Sequence, residues 1–313
     1  MFDAIRKQGA SEPSSKRALR LVSYALLATS AAFVASGWLA VGALRARQKP
    51  RYAETPPAGW SGRVEELRLR TSDGEDVGAW YLDATDAQAP TVILLHGRGG
   101  GRGARVAAAD IFTERGCAAL LVSLRAHGDS SGERDDFGWS ARHDVVAAVA
   151  WARARRPGAR VVLAGASLGA AASVFAAAEL PEPVDAYWLE CLYTDLDSAA
   201  LRRCQQHLPL GIGHIAHRAL LVGAALRWPE WREIAPVARM ASLRAPGGVW
   251  ILAGGADELA TLEDARTLAA ACATPAHLVV IEGAPHDRLV AYDQAAYART
   301  ADDLLHALRA LPR

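Results

Sequence analysis

The sequence predicts an α/β domain: a mostly parallel sheet of about eight strands with helices on both faces, a small helical cap, and an N-terminal transmembrane helix. Three observations carry this. Short unbroken apolar runs alternate with helix-length stretches, the pattern of parallel strands buried on both faces. Residues 21–44 hold no ionisable side chain except Tyr24. Several chemistry-bearing residues follow directly on apolar runs, where α/β sheets place their sites. Composition agrees. In 313 residues, 51% hydrophobic content is enough for a large core and excludes a disordered chain. A formal charge of +1 offers no field for nucleic acid, and none is expected as a partner.

Residues 1–20 read as a tail and 21–44 as the membrane anchor, flanked by Arg20 and Arg45. At about 1.5 Å per residue the apolar stretch reaches roughly 36 Å, enough to cross the hydrocarbon core with some tilt. A cleaved signal peptide would use Val41-Gly42-Ala43, but its apolar region should be only about 7–15 residues. Arg6, Lys7, Lys16, Arg17 and Arg20 on one side balance Arg45, Arg47, Lys49, Arg51 and Arg63 on the other, which leaves the orientation open. Residues 45–62 read as a linker, because Pro50 and Thr55-Pro56-Pro57-Ala58-Gly59 cannot join a helix or sheet interior.

The remaining 63–313 reads as one domain. Its candidate strands are 63–70 and 77–82, split by the Asp73-Gly74 turn signal, then 91–95, 118–124, 160–164, 186–189, 248–253 and 278–281. Helical patterns cover 140–155, 168–179, 261–271 and 291–308, and more than fifty residues separate the runs at 186–189 and 248–253. Four scattered cysteines form no C-x-x-C pair. Outside the cytoplasm, Cys191 and Cys204 could bridge.

Gly165-Ala166-Ser167-Leu168-Gly169 follows the run at 160–164 and opens a helix. A G-x-S-x-G turn of this kind lifts a serine above the sheet, where only glycine tolerates the close backbone approach. A serine needs a base, and the base an orienting carboxylate. Asp257 follows the run at 248–253 in a Gly-rich turn, and His286 follows the run at 278–281. Nucleophile, acid and base thus stand in chain order, each at a strand end.

With these three turns, His96-Gly97-Arg98-Gly99-Gly100 and Arg125-Ala126-His127-Gly128-Asp129-Ser130, the chain over about 63–313 resembles the α/β-hydrolase superfamily, especially membrane-anchored serine esterases, lipases and peptidase-like members. The resemblance implies an α/β-hydrolase fold with a cap inserted at about 191–240, and a catalytic Ser167, His286 and Asp257, without cofactor or metal. It also implies an oxyanion hole from the backbone of Arg98 and Leu168. The expected substrate is a small-molecule or lipid-like ester; thioester or peptide cleavage is the alternative. Glu258, Asp195 and Asp197 are lesser candidates for the acid, and His127 reads as structural.

Other readings exist. Gly99-Gly100-Gly101-Arg102-Gly103-Ala104 mimics a dinucleotide fingerprint, with Arg125 placed for a 2′-phosphate, yet two candidate strands precede it. A tethered binding module could keep the fold without chemistry. His207, His214 and His217 suggest a metal site but lack companion ligands, so they read as polar marks on an apolar segment. Residues 208–226 carry one formal charge, Arg218, and read either as a core helix or as an apolar lid lining an acyl pocket.

Overall fold

Eight strands form one sheet in the order β1-β2-β4-β3-β5-β6-β7-β8. They are β1 Val64–Arg70, β2 Asp76–Leu82, β3 Thr91–Leu95, β4 Ala118–Val122, β5 Val161–Ala166, β6 Ala186–Glu190, β7 Val249–Gly254 and β8 His277–Ile281. β2 runs antiparallel to β1 and β4, and all other neighbours are parallel. The computed structural model describes residues 14–209, 211–286 and 288–312; Arg6, Lys7 and the rest of the tail up to residue 13 lie outside them.

Burial explains the strand composition. β3, β4, β5, β6 and β7 are buried at every position, so both faces must be apolar. Along β3, Ile93 and Leu95 join one core while Val92 and Leu94 join the other, as the two-residue period of a strand demands. The edge strand β1 instead carries exposed Glu65, Glu66, Arg68 and Arg70, charges that discourage pairing with a further chain.

The helices are α1 Ser14–Arg45, α2 Val106–Thr113, α3 Arg142–Arg155, α4 Leu168–Ala176, α5 Leu196–His207, α6 Ile212–Arg227, α7 Leu262–Ala271, α8 Leu289–Tyr292 and α9 Gln294–Arg309. α7 starts at a capping box in which Thr261 and Asp264 satisfy each other's backbone N–H. α1 is long and apolar enough to cross a bilayer. It begins before the apolar stretch, because basic residues such as Arg17 and Arg20 sustain a helix as well as leucine does. The segment 191–240, expected as a cap, holds α5, α6 and 3₁₀ turns at Pro229–Glu233 and Pro236–Ser242.

The segment 45–62 does not hang free. The Arg47 guanidinium donates to the carbonyls of Gly128, Ser130 and Gly132 at 2.5–3.0 Å. Lys49 Nζ donates to Gly99 O at 2.7 Å, and Glu54 is buried against Arg102 and Ser123. Beyond a 3₁₀ turn at Ala58–Trp60 the prolines leave the segment without helix or strand, but not without docking, which depends on donors and acceptors more than forty residues away.

Candidate active site

β5 ends in a turn that holds Ser167 at φ 47° and ψ −104°, a conformation strained for any residue with a side chain. The flanking glycines make it possible. A Cβ on Gly165 would stand 2.4 Å from Ala170 N, and one on Gly169 would stand 2.7 Å from the backbone carbon of Leu95. Both obstacles are backbone, so larger residues would push α4 away from the sheet.

His286, on the loop after β8, accepts from Ser167 Oγ through Nε2 at 3.1 Å and donates from Nδ1 to Asp257 Oδ2 at 2.7 Å. The Asp257 side chain is 0% exposed, and its Oδ1 accepts from the N–H groups of Leu259 and Ala260 at 2.8 and 2.9 Å. Those two donors fix the carboxylate with Oδ2 turned to His286. Oδ2 in turn holds the His286 proton on Nδ1 and leaves Nε2 free to receive one.

The other candidate acids have different work. Asp195 caps α5 through Ser198 N, Asp197 pairs with His217 at 2.6 Å, and Glu258 accepts from Gln206. Among the described residues the cap histidines do not gather: His214 meets Gln205 at 3.3 Å, and His217 is taken up by Asp197. Cys191, Asp257 and His286 offer ligand atoms within 4.8 Å of one another, but acid and imidazole are committed to each other. None of the four cysteines forms a disulfide, so Cys191 and Cys204 are not bridged to each other.

Arg98 and Leu168 line the same cavity as Ser167 and His286. Leu168 opens α4, so its N–H is among those a helix leaves unsatisfied. Two histidines shape the loop beside it. His96 is fully buried, donates to Gly97 O and accepts from Leu124 N; burial pushes it down to about 3, so it is neutral. His127 accepts from Gly99 N at 3.1 Å and donates to Arg125 O, and burial lowers it too. His127 therefore orders the loop after β3, in keeping with a structural role.

The glycine loop 99–104 holds the chain's own carboxylate: Gly103 N and Arg102 donate to Glu54 at 3.1 Å each. Arg125 is likewise engaged, by Asp73 and Asp144 at 2.6–2.9 Å. A phosphate would have to displace these carboxylates, and the dinucleotide reading loses its site.

Sequence reasoning missed a buried network beneath the serine. Glu190, which ends β6, takes two bonds from Arg105 at 2.5 and 2.9 Å, and one each from Trp188 and Tyr297. Its carbonyl accepts from Ser167 N at 2.8 Å. The available signal was an acid closing an otherwise apolar strand. Also missed was Asp135, which fixes the Arg98 guanidinium at 2.7 Å.

The cavity measures 460 Å³, within the range of about 300–1,000 Å³ usual for small-molecule sites. Its wall is mostly apolar and includes Leu196, Leu208, Leu220, Leu221 and Trp231 of the cap. α6 thus lines the cavity through Leu220, Leu221 and Ala224; Leu210 of the stretch 208–226 lies outside the described residues.

A fold of this topology, with a serine on a strained strand-to-helix turn, defines an α/β-hydrolase. Comparison with known proteins agrees: the family profile described as alpha/beta hydrolase fold matches residues 90–212. The chain belongs to this family. An uncharacterised protein of Mycobacterium tuberculosis is 30% identical over 241 residues, covering 76% of each chain. The lysophosphatidylserine lipase ABHD12 of Rattus norvegicus is 29% identical over 142 residues, 44% of this chain and 35% of that one. Among solved structures, the esterase Pf2001 of Pyrococcus furiosus superposes with a TM-score of 0.65 at 20% identity, over 83% of this chain and 99% of its own. At that identity it speaks for the fold alone.

Proposed function

We propose that this protein is a membrane-anchored serine hydrolase that cleaves an ester of a hydrophobic acid through an acyl-enzyme. The observation that carries the reading is the relay from Ser167 Oγ through His286 to Asp257, at 3.1 and 2.7 Å. His286 Nε2 takes the proton as Ser167 Oγ attacks the substrate carbonyl. The N–H groups of Arg98 and Leu168 meet the charge that builds on the carbonyl oxygen, an effect worth about 2.7–4 kcal/mol per donor. Collapse of the tetrahedral intermediate breaks the ester C–O bond, and His286 returns its proton to the leaving alkoxide. Water, deprotonated by the same imidazole, then attacks the acyl-enzyme and releases the acid and Ser167. Asp257 stabilises the imidazolium throughout. The apolar wall of the cavity favours an acyl chain over a polar substrate.

Ser167→Ala tests the reading. Hydrolysis of a p-nitrophenyl ester should fall by about 10⁶ in kcat, as in comparable triads. A fluorophosphonate probe should label wild type and not the variant. Activity near wild type in Ser167→Ala would assign the chemistry elsewhere.

A further inference from the structure

The helix α1 is built into the catalytic domain. Gly37 and Gly223 place the backbones of α1 and α6 in direct contact: a Cβ on Gly37 would lie 1.9 Å from Ala219 O, and one on Gly223 2.2 Å from the Gly37 carbonyl. Arg227 Nη1 donates to Trp38 O at 2.9 Å, and its guanidinium stands 4.9 Å from the Trp38 ring.

At its C-terminal end the helix is held again. Arg98, the expected oxyanion residue, donates through its side chain to Leu44 O, one of the carbonyls a helix end leaves unpaired. The same guanidinium lies 4.7 Å over Phe137, Phe137 stacks on Trp228 at 6.1 Å, and Arg45 sits 4.4 Å over Trp228. This ladder of rings and guanidinium groups joins the loop after β3, the cap and the end of α1. Within that frame Val41, only 4% exposed, and Leu44 line the cavity that contains Ser167 and His286. They line it together with Leu220, Leu221 and Ala224 of α6. The N-terminal half of α1 is different, with Leu21, Leu26 and Leu27 exposed by 64–69%.

We propose that the end of the anchor is part of the substrate site: Val41 and Leu44 form one wall of the acyl-binding channel and set the length of acyl chain the enzyme accepts. The substrate class is then esters of medium-length or long-chain fatty acids. This rests on the serine hydrolase reading above. A tether would need only an apolar surface. The buried Val41, the glycine contact and the Arg98 bond to Leu44 instead hold a fixed wall whose side chains meet the substrate. Each methylene buried there adds favourable transfer free energy, so kcat/KM should rise several-fold per two carbons until the chain meets α1.

The test uses the full-length protein in detergent micelles with p-nitrophenyl esters from acetyl to dodecanoyl. Wild type should show octanoyl preferred over acetyl by at least tenfold. Val41→Trp and Leu44→Trp should each lower that ratio at least fivefold, and Val41→Ala should move the optimum to a longer chain. Leu26→Trp, on the exposed half of α1, should leave the ratio as in wild type. Fluorophosphonate labelling of each variant reports an intact serine site. Labelled Trp variants with the wild-type ratio would overturn the proposal. If the Trp variants fail to label, Val41→Ala decides, and an unmoved optimum overturns it equally. Loss of the hydrolase reading itself would show separately, as full activity in Ser167→Ala.

Discussion

Replacing Asp257 by Asn keeps the size of the side chain and removes its charge, and the surroundings make both amide orientations wrong. Oδ1 accepts from two backbone N–H groups and Oδ2 from His286 Nδ1, in a site closed to solvent. If the amide oxygen faces His286, the NH₂ group confronts the donors of Leu259 and Ala260, leaving buried donors unsatisfied at about 1–3 kcal/mol. If the NH₂ faces His286, it requires an acceptor at Nδ1, and the proton moves to Nε2. That tautomer cannot take the proton of Ser167. Comparable substitutions lower kcat by about 10⁴. We therefore expect Asp257→Asn to lose about four orders of magnitude in kcat with p-nitrophenyl butyrate at pH 7.5, with a slower fluorophosphonate reaction and a lowered Tm. Asp195→Asn, Asp197→Asn and Glu258→Gln should stay within tenfold of wild type. A rate for Asp257→Asn within tenfold of wild type, beside a large loss in one of those three, would refute the assignment of the acid.

Two further outcomes follow from the packing. Gly169→Ala must place a methyl group 2.6–2.7 Å from the Cβ, carbonyl carbon and oxygen of Leu95, so overpacking should cost about 1–3 kcal/mol, visible as a lower Tm in calorimetry; an unchanged Tm would contradict the tight turn. His96 stays neutral in the native state down to about pH 3, while in the unfolded chain it takes up a proton near its ordinary value of 6.5. The unfolded state then binds more protons, so the contribution of this group is full above about pH 6.5 and drains as pH falls, by at most about 1.4 kcal/mol per pH unit. Urea unfolding from pH 7.5 to 4.5 should show a shallower loss in His96→Asn than in wild type, and equal slopes would count against a buried neutral imidazole.

Much of this protein could be read from local pattern. β3 and β8 emerge within a residue of the apolar runs at 91–95 and 278–281; β3 is buried at every position, and the edge strand β8, only partly buried, still presents an unbroken apolar run. Ser167, Asp257 and His286 are legible because parallel strands deliver their loops to one edge of the sheet; of the glycines beside the serine, Gly165 is dictated by Gly169 and Ala170 a few residues on, whereas Gly169 is dictated by Leu95 of a neighbouring strand. The apolar stretch at 21–44 marked α1 by hydropathy alone. The Gly-rich turn puts Asp257 ahead of Asp195, Asp197 and Glu258, but all four follow strands of the same sheet, and which of them lies beside His286 depends on where their loops carry them. The role of residues 45–62 and of the end of α1 was not legible. Arg98 finds Leu44 across 54 positions, Arg47 finds Gly128 across 81, and Gly37 meets Gly223 only because two helices cross there. Periodicity, turn sterics and hydropathy act over one turn or one strand and are therefore written locally. The partners of a guanidinium or of a bare glycine face depend on how finished elements pack, and only the tertiary structure decides them.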